Sequence, residues 1–319
     1  MNLYLGIDTS AYTTSIALVD DSGDITADQR IVLKVEPGKI GLRQADAHFS
    51  HIRNLPFLFE RVQEKLAGGT LQAIGASNQP RRSEESYMPV FTAGYSVAEC
   101  VALALSIPLY AFSHQEGHIR AALYGIADLE MPFLAVHFSG GTSEILLVRG
   151  EENESPFKVE VILSTMDLNA GQLIDRVGVA LRLPFPAGPA LEQMARSGET
   201  DEAIPSMVDN RGISFSGAET RAIQLLQKGV PGETVAYLVF RSIANTLEKG
   251  LRMAVERTGV KNIVLAGGVM SNSIIKERLV KRFDGSDFKV RWARPDLSSD
   301  NATGIAMLAR ERYIKDKGL

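Results

Sequence analysis

Residues 3–9 alternate in hydrophobicity and are rich in β-formers, and with residues 15–20 (SIALVD) they predict a pair of β-strands. The linker between them, residues 10–14 (SAYTT), is small and hydroxylic. The pair therefore reads as a hairpin whose turn exposes backbone N–H groups and hydroxyls, a turn able to cradle a phosphate. A third strand is expected over 25–33. Residues 42–66 then form a long amphipathic stretch that includes His48 and His51. The strand pattern returns over 71–77 (LQAIGAS), and residues 78–89 (NQPRRSEESYMP), polar, charged and Pro-containing, read as a loop. Residues 97–105 read as a helix and 109–112 as a strand that runs into Ser113-His114-Gln115-Glu116-Gly117-His118.

The opening pattern then recurs. LGIDTSAYTTSIALVD (5–20) aligns without a gap on LAVHFSGGTSEILLVR (134–149), with Ser10 over Ser139, Thr13 over Thr142, Thr14 over Ser143 and Ile16 over Ile145. A hydroxyl-rich turn shared in register points to a duplicated domain, each half opening with a hairpin. In the second copy the turn is Ser139-Gly140-Gly141-Thr142, whose glycines let backbone approach a ligand closely. A third strand is expected over 158–163, followed by a helix entered through DLNAGQLID (167–175) and a rigid turn PFPAGP (184–189) ahead of another helix. ISFSG (213–217) reads as a loop before a helix over 219–228, and 234–258 as a long helix. A buried strand over 262–265 ends in Ala266-Gly267-Gly268-Val269, with a helix after Asn272 running to residue 282. A strand over 289–292 and a helix over 302–315 close the chain.

Composition narrows the class. The chain has 319 residues, 45% of them hydrophobic, enough for a large core and better divided into two domains than one. The net charge of −4 and the absence of a basic run leave any RNA to local patches or partners, and no DNA binding is expected. Cys100 is the only cysteine, which excludes an internal disulfide and a Cys-based metal cluster. The first residues, MNLYLGIDTS, lack the basic and long apolar regions of a signal peptide, and the apolar run at 101–112 falls short of the roughly 20 residues a membrane span needs. A soluble, cytoplasmic protein is expected.

Three places carry candidate chemistry. His114 and His118 stand at i and i+4, so on a helix both imidazoles project from one face, a geometry that suits a transition metal but equally describes two solvated histidines at a helix start. Strand, Gly267-Gly268, helix is an arrangement that receives anionic or nucleotide ligands, though a Gly pair after a strand also serves tight packing. Asp300, ahead of the last helix, is on local grounds an N-cap.

Taken in order, LGIDTS, HQEGH (114–118), SGG (139–141), AGQLID (170–175), PAGP (186–189), ISFSG (213–217), AGGVMSN (266–272) and SSDNA (298–302) resemble the family of tRNA threonylcarbamoyladenosine transferases, the bacterial TsaD family formerly termed O-sialoglycoprotein endopeptidases. The resemblance implies an α/β fold of the actin/Hsp70/sugar-kinase type, a duplicated RNase H-like pair of lobes with a central nucleotide cleft. The lobes are expected over 1–112, with the C-terminal helix of about 300–319 packing back on the first, and over 113–299 with a helical insertion. It implies one divalent metal, iron or zinc, on His114, His118 and Asp300, and ATP, ADP or threonylcarbamoyl-adenylate on His137, Phe138, Ser139, Gly140, Gly141, Asp175, Gly188, Gly267, Gly268 and Asn272. The implied reaction moves the threonylcarbamoyl group from the adenylate to the exocyclic amine of the adenosine next to the anticodon in tRNA. The implied partners are tRNA, a TsaB-like paralogue and a TsaE-like ATPase, with no membrane. Neutral imidazoles bind metal, so occupancy is expected to fall below pH about 6.

The sequence also departs from the family. Ala11-Tyr12-Thr13-Thr14 replaces an acidic Cys-Asp-Glu-Thr turn, Asn78-Gln79-Pro80-Arg81-Arg82 replaces a Gly-Pro-Gly loop, Glu219 stands for a Lys and Gln172 for a Glu. A divergent paralogue that binds nucleotide and metal while serving as an interaction subunit, or transferring another group, is the alternative. A zinc protease would need Glu directly after His114, where the chain has Gln115.

Overall fold

A computed structural model describes the chain apart from Ala11, residues 35–41, 83–85 and 151–155, and Leu319. The turn expected over residues 10–14 thus lies partly outside the described residues. Strands β1 (Asn2–Thr9), β2 (Thr13–Asp20) and β3 (Ile25–Val32) form an antiparallel meander. Helix α1 (Gln44–Ala67) leads to β4 (Thr70–Gln79), and α2 (Thr92–Leu105) leads to β5 (Leu109–Ser113), both strands parallel to β1. Helix α3 (His114–Ala122) follows β5 directly.

The second half repeats the plan. Strands β6 (Phe133–Phe138), β7 (Ser143–Gly150) and β8 (Phe157–Ser164) form a meander. Helices α4 (Ala170–Ala180) and α5 (Gly188–Ala195), the ribbon β9 (Met207–Asp209) and β10 (Gly212–Ser214), and helices α6 (Ser216–Gln227) and α7 (Gly232–Thr258) follow. Strand β11 (Asn262–Ala266), helix α8 (Ser273–Phe283) and strand β12 (Lys289–Trp292) complete this half, and α9 (Thr303–Lys317) ends the chain.

The two five-stranded sheets run β3-β2-β1-β4-β5 and, read from its other edge, β8-β7-β6-β11-β12. The hairpins share one register. Asp8 pairs with Ser15 as His137 pairs with Glu144, and Thr9 with Thr14 as Phe138 with Ser143. The duplication expected from the aligned turns is present strand by strand.

In the first sheet, Leu5, Ile7, Ile16 and Leu18 pack with Leu55, Leu58 and Val62 of α1, while Tyr4, Ala17, Val19 and Ala73 pack with Ala302, Ala306 and Met307 at the start of α9. Burial on both faces explains why residues 3–7 are almost continuously apolar. The period of two places Tyr4, Gly6 and Asp8 together on the α9 face. In the second sheet the apolar residues of β6, β7 and β11 pack with α4 and with the long buried stripe of α7.

Boundaries shift where tertiary contacts act. Helix α2 begins at Thr92 rather than 97, and β4 runs to Gln79 into the expected loop. ISFSG is half strand, with α6 starting at Ser216. The chain divides into two compact units, Met1–Tyr124 with Asp300–Leu319 and Gly125–Glu151 with Phe157–Ser299, so α3 belongs with the first unit instead of opening the second at residue 113. The cause is its packing on α9: a Cβ on Gly304 would meet the Gly117 carbonyl oxygen at 1.9 Å.

Candidate functional site

Ser113 ends β5 and caps α3. Its Oγ accepts from Glu116 N at 3.2 Å, and Glu116 Oε2 accepts from Ser113 N at 2.7 Å, a reciprocal pair that satisfies two helix-end amides. Glu116 is buried and held from outside by Arg82, whose Nε lies 3.0 Å from both carboxylate oxygens. With the first turn fixed, His114 and His118 project together, their Nε2 atoms 2.9 Å apart and their rings at 81°.

Asp300 reaches them because α9 is seated against both β1 and α3. A Cβ on Gly6 would meet Ala302 O at 2.3 Å, so only glycine admits the helix start at that distance. Asp300 is not an N-cap: α9 starts at Thr303, and Asn301 Oδ1 accepts from Thr303 N. The carboxylate faces the imidazoles, with Oδ1 3.7 Å from His114 Nε2 and 3.3 Å from His118 Nε2. A triangle with sides of 2.9, 3.3 and 3.7 Å has a circumradius of about 1.9 Å, so a point about 2.0–2.1 Å from all three atoms lies just off their plane, the bond length of a first-row divalent metal. The donor set of two imidazoles and one carboxylate suits zinc or iron.

The sequence reading missed the groups behind this trio. Asp8, fully buried, places Oδ1 2.9 Å from His114 Nδ1. In the neutral ring, a proton on Nδ1 donating to Asp8 leaves Nε2 with its lone pair toward Asp300 and His118. Burial alone would lower the His114 pKa, but the charge and hydrogen bond of Asp8, with the charge of Asp300, push it up to about 9. For Asp8, burial favours the neutral acid and His114 outweighs it, so its pKa is lowered. The hairpin turn reaches the same place: Ser10 Oγ and Thr13 Oγ1 each donate to Asp300 Oδ2 at 3.3 Å. Thr14 anchors the turn to α1, accepting from Asn54 Nδ2 at 3.0 Å and lying 2.8 Å from His51 Nδ1. Burial pushes the His51 pKa down to about 4 and keeps that ring neutral. Ser113-x-x-Glu116 could have been read as a capping pair, and Asp8 could have been found as the residue aligned with His137.

In the second unit, α4 is pressed on the Ser139–Gly141 turn. A Cβ on Gly171 would lie 2.7 Å from Gly140 Cα, and Gly171 N donates to Ser139 O. Gly267, at φ +96°, brings the end of β11 onto Phe138, whose carbonyl oxygen a Cβ would meet at 2.2 Å. These contacts place the SGG and AGG turns side by side. Around Gly140, Gly141, Gly188 and Gly268 an added Cβ would find nothing within 4 Å, so backbone is open to approach at each of these positions. Ser139 Oγ accepts from Gly141 N and Thr142 N, so those two amides turn inward rather than outward as the sequence suggested. His137 lies on β6 across from Glu144. Asp175 Oδ1 accepts from Ala187 N at 2.8 Å beside Gly188, and burial raises its pKa against that bond. Asn272 Oδ1 caps α8 by accepting from Ile275 N.

The departures have local partners. Gln172 Oε1 accepts from Asn169 N at the start of α4, and Glu219 pairs with Arg176 at 3.2 Å. Asp167, also missed, ties ISFSG to α4 by accepting from Ser214 Oγ, Ser216 Oγ and Phe215 N.

Comparison with known proteins bears on this arrangement. Residues 47–307 match the family described as "TsaD: tRNA N6-adenosine threonylcarbamoyltransferase". A protein of Thermus thermophilus named tRNA N6-adenosine threonylcarbamoyltransferase is 32% identical, over 97% of this chain and 92% of its own length. Among solved structures, the activator of 2-hydroxyisocaproyl-CoA dehydratase from Clostridium difficile with bound ADPNP is similar at TM-score 0.57 and 14% identity, over 99% of this chain and 97% of that one. The ROK family glucokinase from Streptomyces griseus in complex with glucose and AMPPNP is similar at TM-score 0.57 and 13% identity, over 97% and 99%. The fold is of the actin/Hsp70/sugar-kinase type, as the sequence indicated.

Proposed function

Because the chain belongs to the tRNA N6-adenosine threonylcarbamoyltransferase family, we propose that it moves a threonylcarbamoyl group from its adenylate to the N6 amine of the adenosine next to the anticodon in tRNA. The observation that supports a working site in this chain is the meeting of His114, His118 and Asp300 around one point at metal-ligand distance. In the reaction the amine nitrogen bonds to the carbamoyl carbon, the bond from that carbon to the phosphate oxygen breaks, AMP leaves, and the amine gives up a proton.

The residues divide the work. Asp8 holds the Nδ1 proton of His114 and so presents Nε2 as a ligand. His118 Nε2 and Asp300 Oδ1 would complete a three-residue set holding one divalent ion, iron or zinc. When bound, the ion supplies a Lewis acid for oxygen ligands. The open backbone at Gly140, Gly141, Gly188 and Gly268 receives the nucleotide, ATP, ADP or the adenylate, with Asp175 and Asn272 as its polar neighbours. A nucleotide in this fold accords with the ADPNP of the dehydratase activator.

The protein works with a TsaB-like paralogue and a TsaE-like ATPase, in the cytoplasm where its tRNA is. No described helix is long and apolar enough to cross a membrane. The test supplies the adenylate and tRNA with those partners and analyses the nucleosides by mass spectrometry. Adenosine gaining the threonylcarbamoyl mass is the expected result. Nucleotide and metal binding without modified adenosine would replace transfer by the interaction-subunit reading.

A further inference from the structure

The first hairpin turn, whose hydroxyls suggested a phosphate cradle, is occupied by a carboxylate of the chain itself. Ser10 Oγ and Thr13 Oγ1 both donate to one oxygen of Asp300, Oδ2, while Oδ1 faces the two imidazoles. Both hydroxyl residues are buried, Ser10 at 3% and Thr13 at 6% exposure.

The duplication supplies an internal control. Ser139 occupies in the second hairpin the place of Ser10 in the first, and its hydroxyl folds back on the turn amides of Gly141 and Thr142. A serine at this place is therefore able to serve its own turn. In the first unit the Ser10 hydroxyl donates to Asp300, and Thr13, which stands where the resembled family carries an acid, joins it. A carboxylate in place of Thr13 would repel Asp300 Oδ2, whereas a hydroxyl donates to it.

We propose that Ser10 and Thr13 are positioning residues for Asp300, holding Oδ2 aside so that the carboxylate binds metal through Oδ1 alone. This rests on the metal reading of the trio. A carboxylate without the clamp could turn and offer both oxygens to the ion. Hydrogen-bonded partners of ligands typically carry about 10–100-fold in metal affinity.

The test is Co(II) titration of the full chain against a competing chelator, read as affinity and as the visible absorption spectrum, which reports coordination number. The variants are Ser10→Ala with Thr13→Val combined, each alone, and Thr13→Ser. The double variant is expected to lose about 10–100-fold in affinity and to show a weaker, higher-coordinate spectrum, and each single variant a few-fold loss. Thr13→Ser, which keeps the hydroxyl, is expected to match wild type in both readouts. A double variant with wild-type affinity and spectrum would overturn the proposal. If the double variant does not fold, wild-type behaviour of both single variants would do the same. Wild-type protein that takes up no Co(II) would instead overturn the metal reading, and this inference with it.

Discussion

Metal binding should compete with a proton between pH 7 and 9, and Asp8 should be the reason. In the metal-free protein His114 is pushed up to about 9 by Asp8 and Asp300 against the opposing effect of burial. At pH 7 an entering ion must displace that proton across about two pH units, a penalty of roughly 3 kcal/mol. Affinity for Zn(II) or Co(II) should therefore rise about tenfold per pH unit from 7 to 9 and level off above, with one proton released per ion. The window lies higher than the pH of about 6 expected from the sequence, because that value assumed an unperturbed imidazole. Asp8→Asn removes the charge 2.9 Å from Nδ1 and should flatten the slope above neutrality while lowering affinity at pH 9 by about 10–100-fold. Calorimetry at pH 7, 8 and 9, in buffers of different ionisation enthalpy, measures affinity and proton release together. A wild-type affinity that does not change between pH 7 and 9, or an Asp8→Asn protein with the wild-type slope, would refute the reasoning. Folding follows the same linkage. A raised histidine pKa adds stability that is complete below about 6.5 and lost as pH rises through about 9, so the melting temperature of metal-free wild type should fall over that range more than that of Asp8→Asn.

Other expectations are more local. His118→Ala should contain no stoichiometric metal by elemental analysis, while melting and ATP affinity stay near wild type. Gly304→Ala places a Cβ 1.9 Å from the Gly117 carbonyl and must separate α9 from α3, costing about 1–3 kcal/mol by denaturant unfolding and weakening metal binding as Asp300 moves. Asn272→Ala should lose both the α8 cap, about 1 kcal/mol, and nucleotide affinity, whereas Asn272→Ser keeps the cap and should lose about 1–3 kcal/mol of ATP binding alone. Unchanged ATP affinity in Asn272→Ser would remove that residue from the nucleotide site.

The hairpins were legible because a buried strand pair with a hydroxyl turn constrains nearly every position, and the aligned turns gave the common register before any topology was known. The trio was legible only through the ordered motifs. Locally Asp300 looked like a helix cap, and what makes it otherwise is the seating of α9 against Gly6 and Gly117, a tertiary fact with no local pattern. Asp8 was hidden for a similar reason: an acid inside an apolar strand acquires meaning only when period two turns it toward α3. The start of α2 was missed because Thr92-Ala93-Gly94 is a weak helix former, while Gly94 is needed there to pass Thr9, whose Oγ1 a Cβ would meet at 2.8 Å. Ser10 and Thr13 read as donors to an anion, which they are, but the anion belongs to the chain.

Whether one metal ion sits on residues 114, 118 and 300 is tested most directly by anomalous diffraction from crystals of the purified protein, with data on either side of the iron and zinc absorption edges. The expected result is a single anomalous peak about 2.0–2.3 Å from His114 Nε2, His118 Nε2 and Asp300 Oδ1. Stoichiometric metal found elsewhere in the molecule, with no anomalous density among these three atoms, would contradict it.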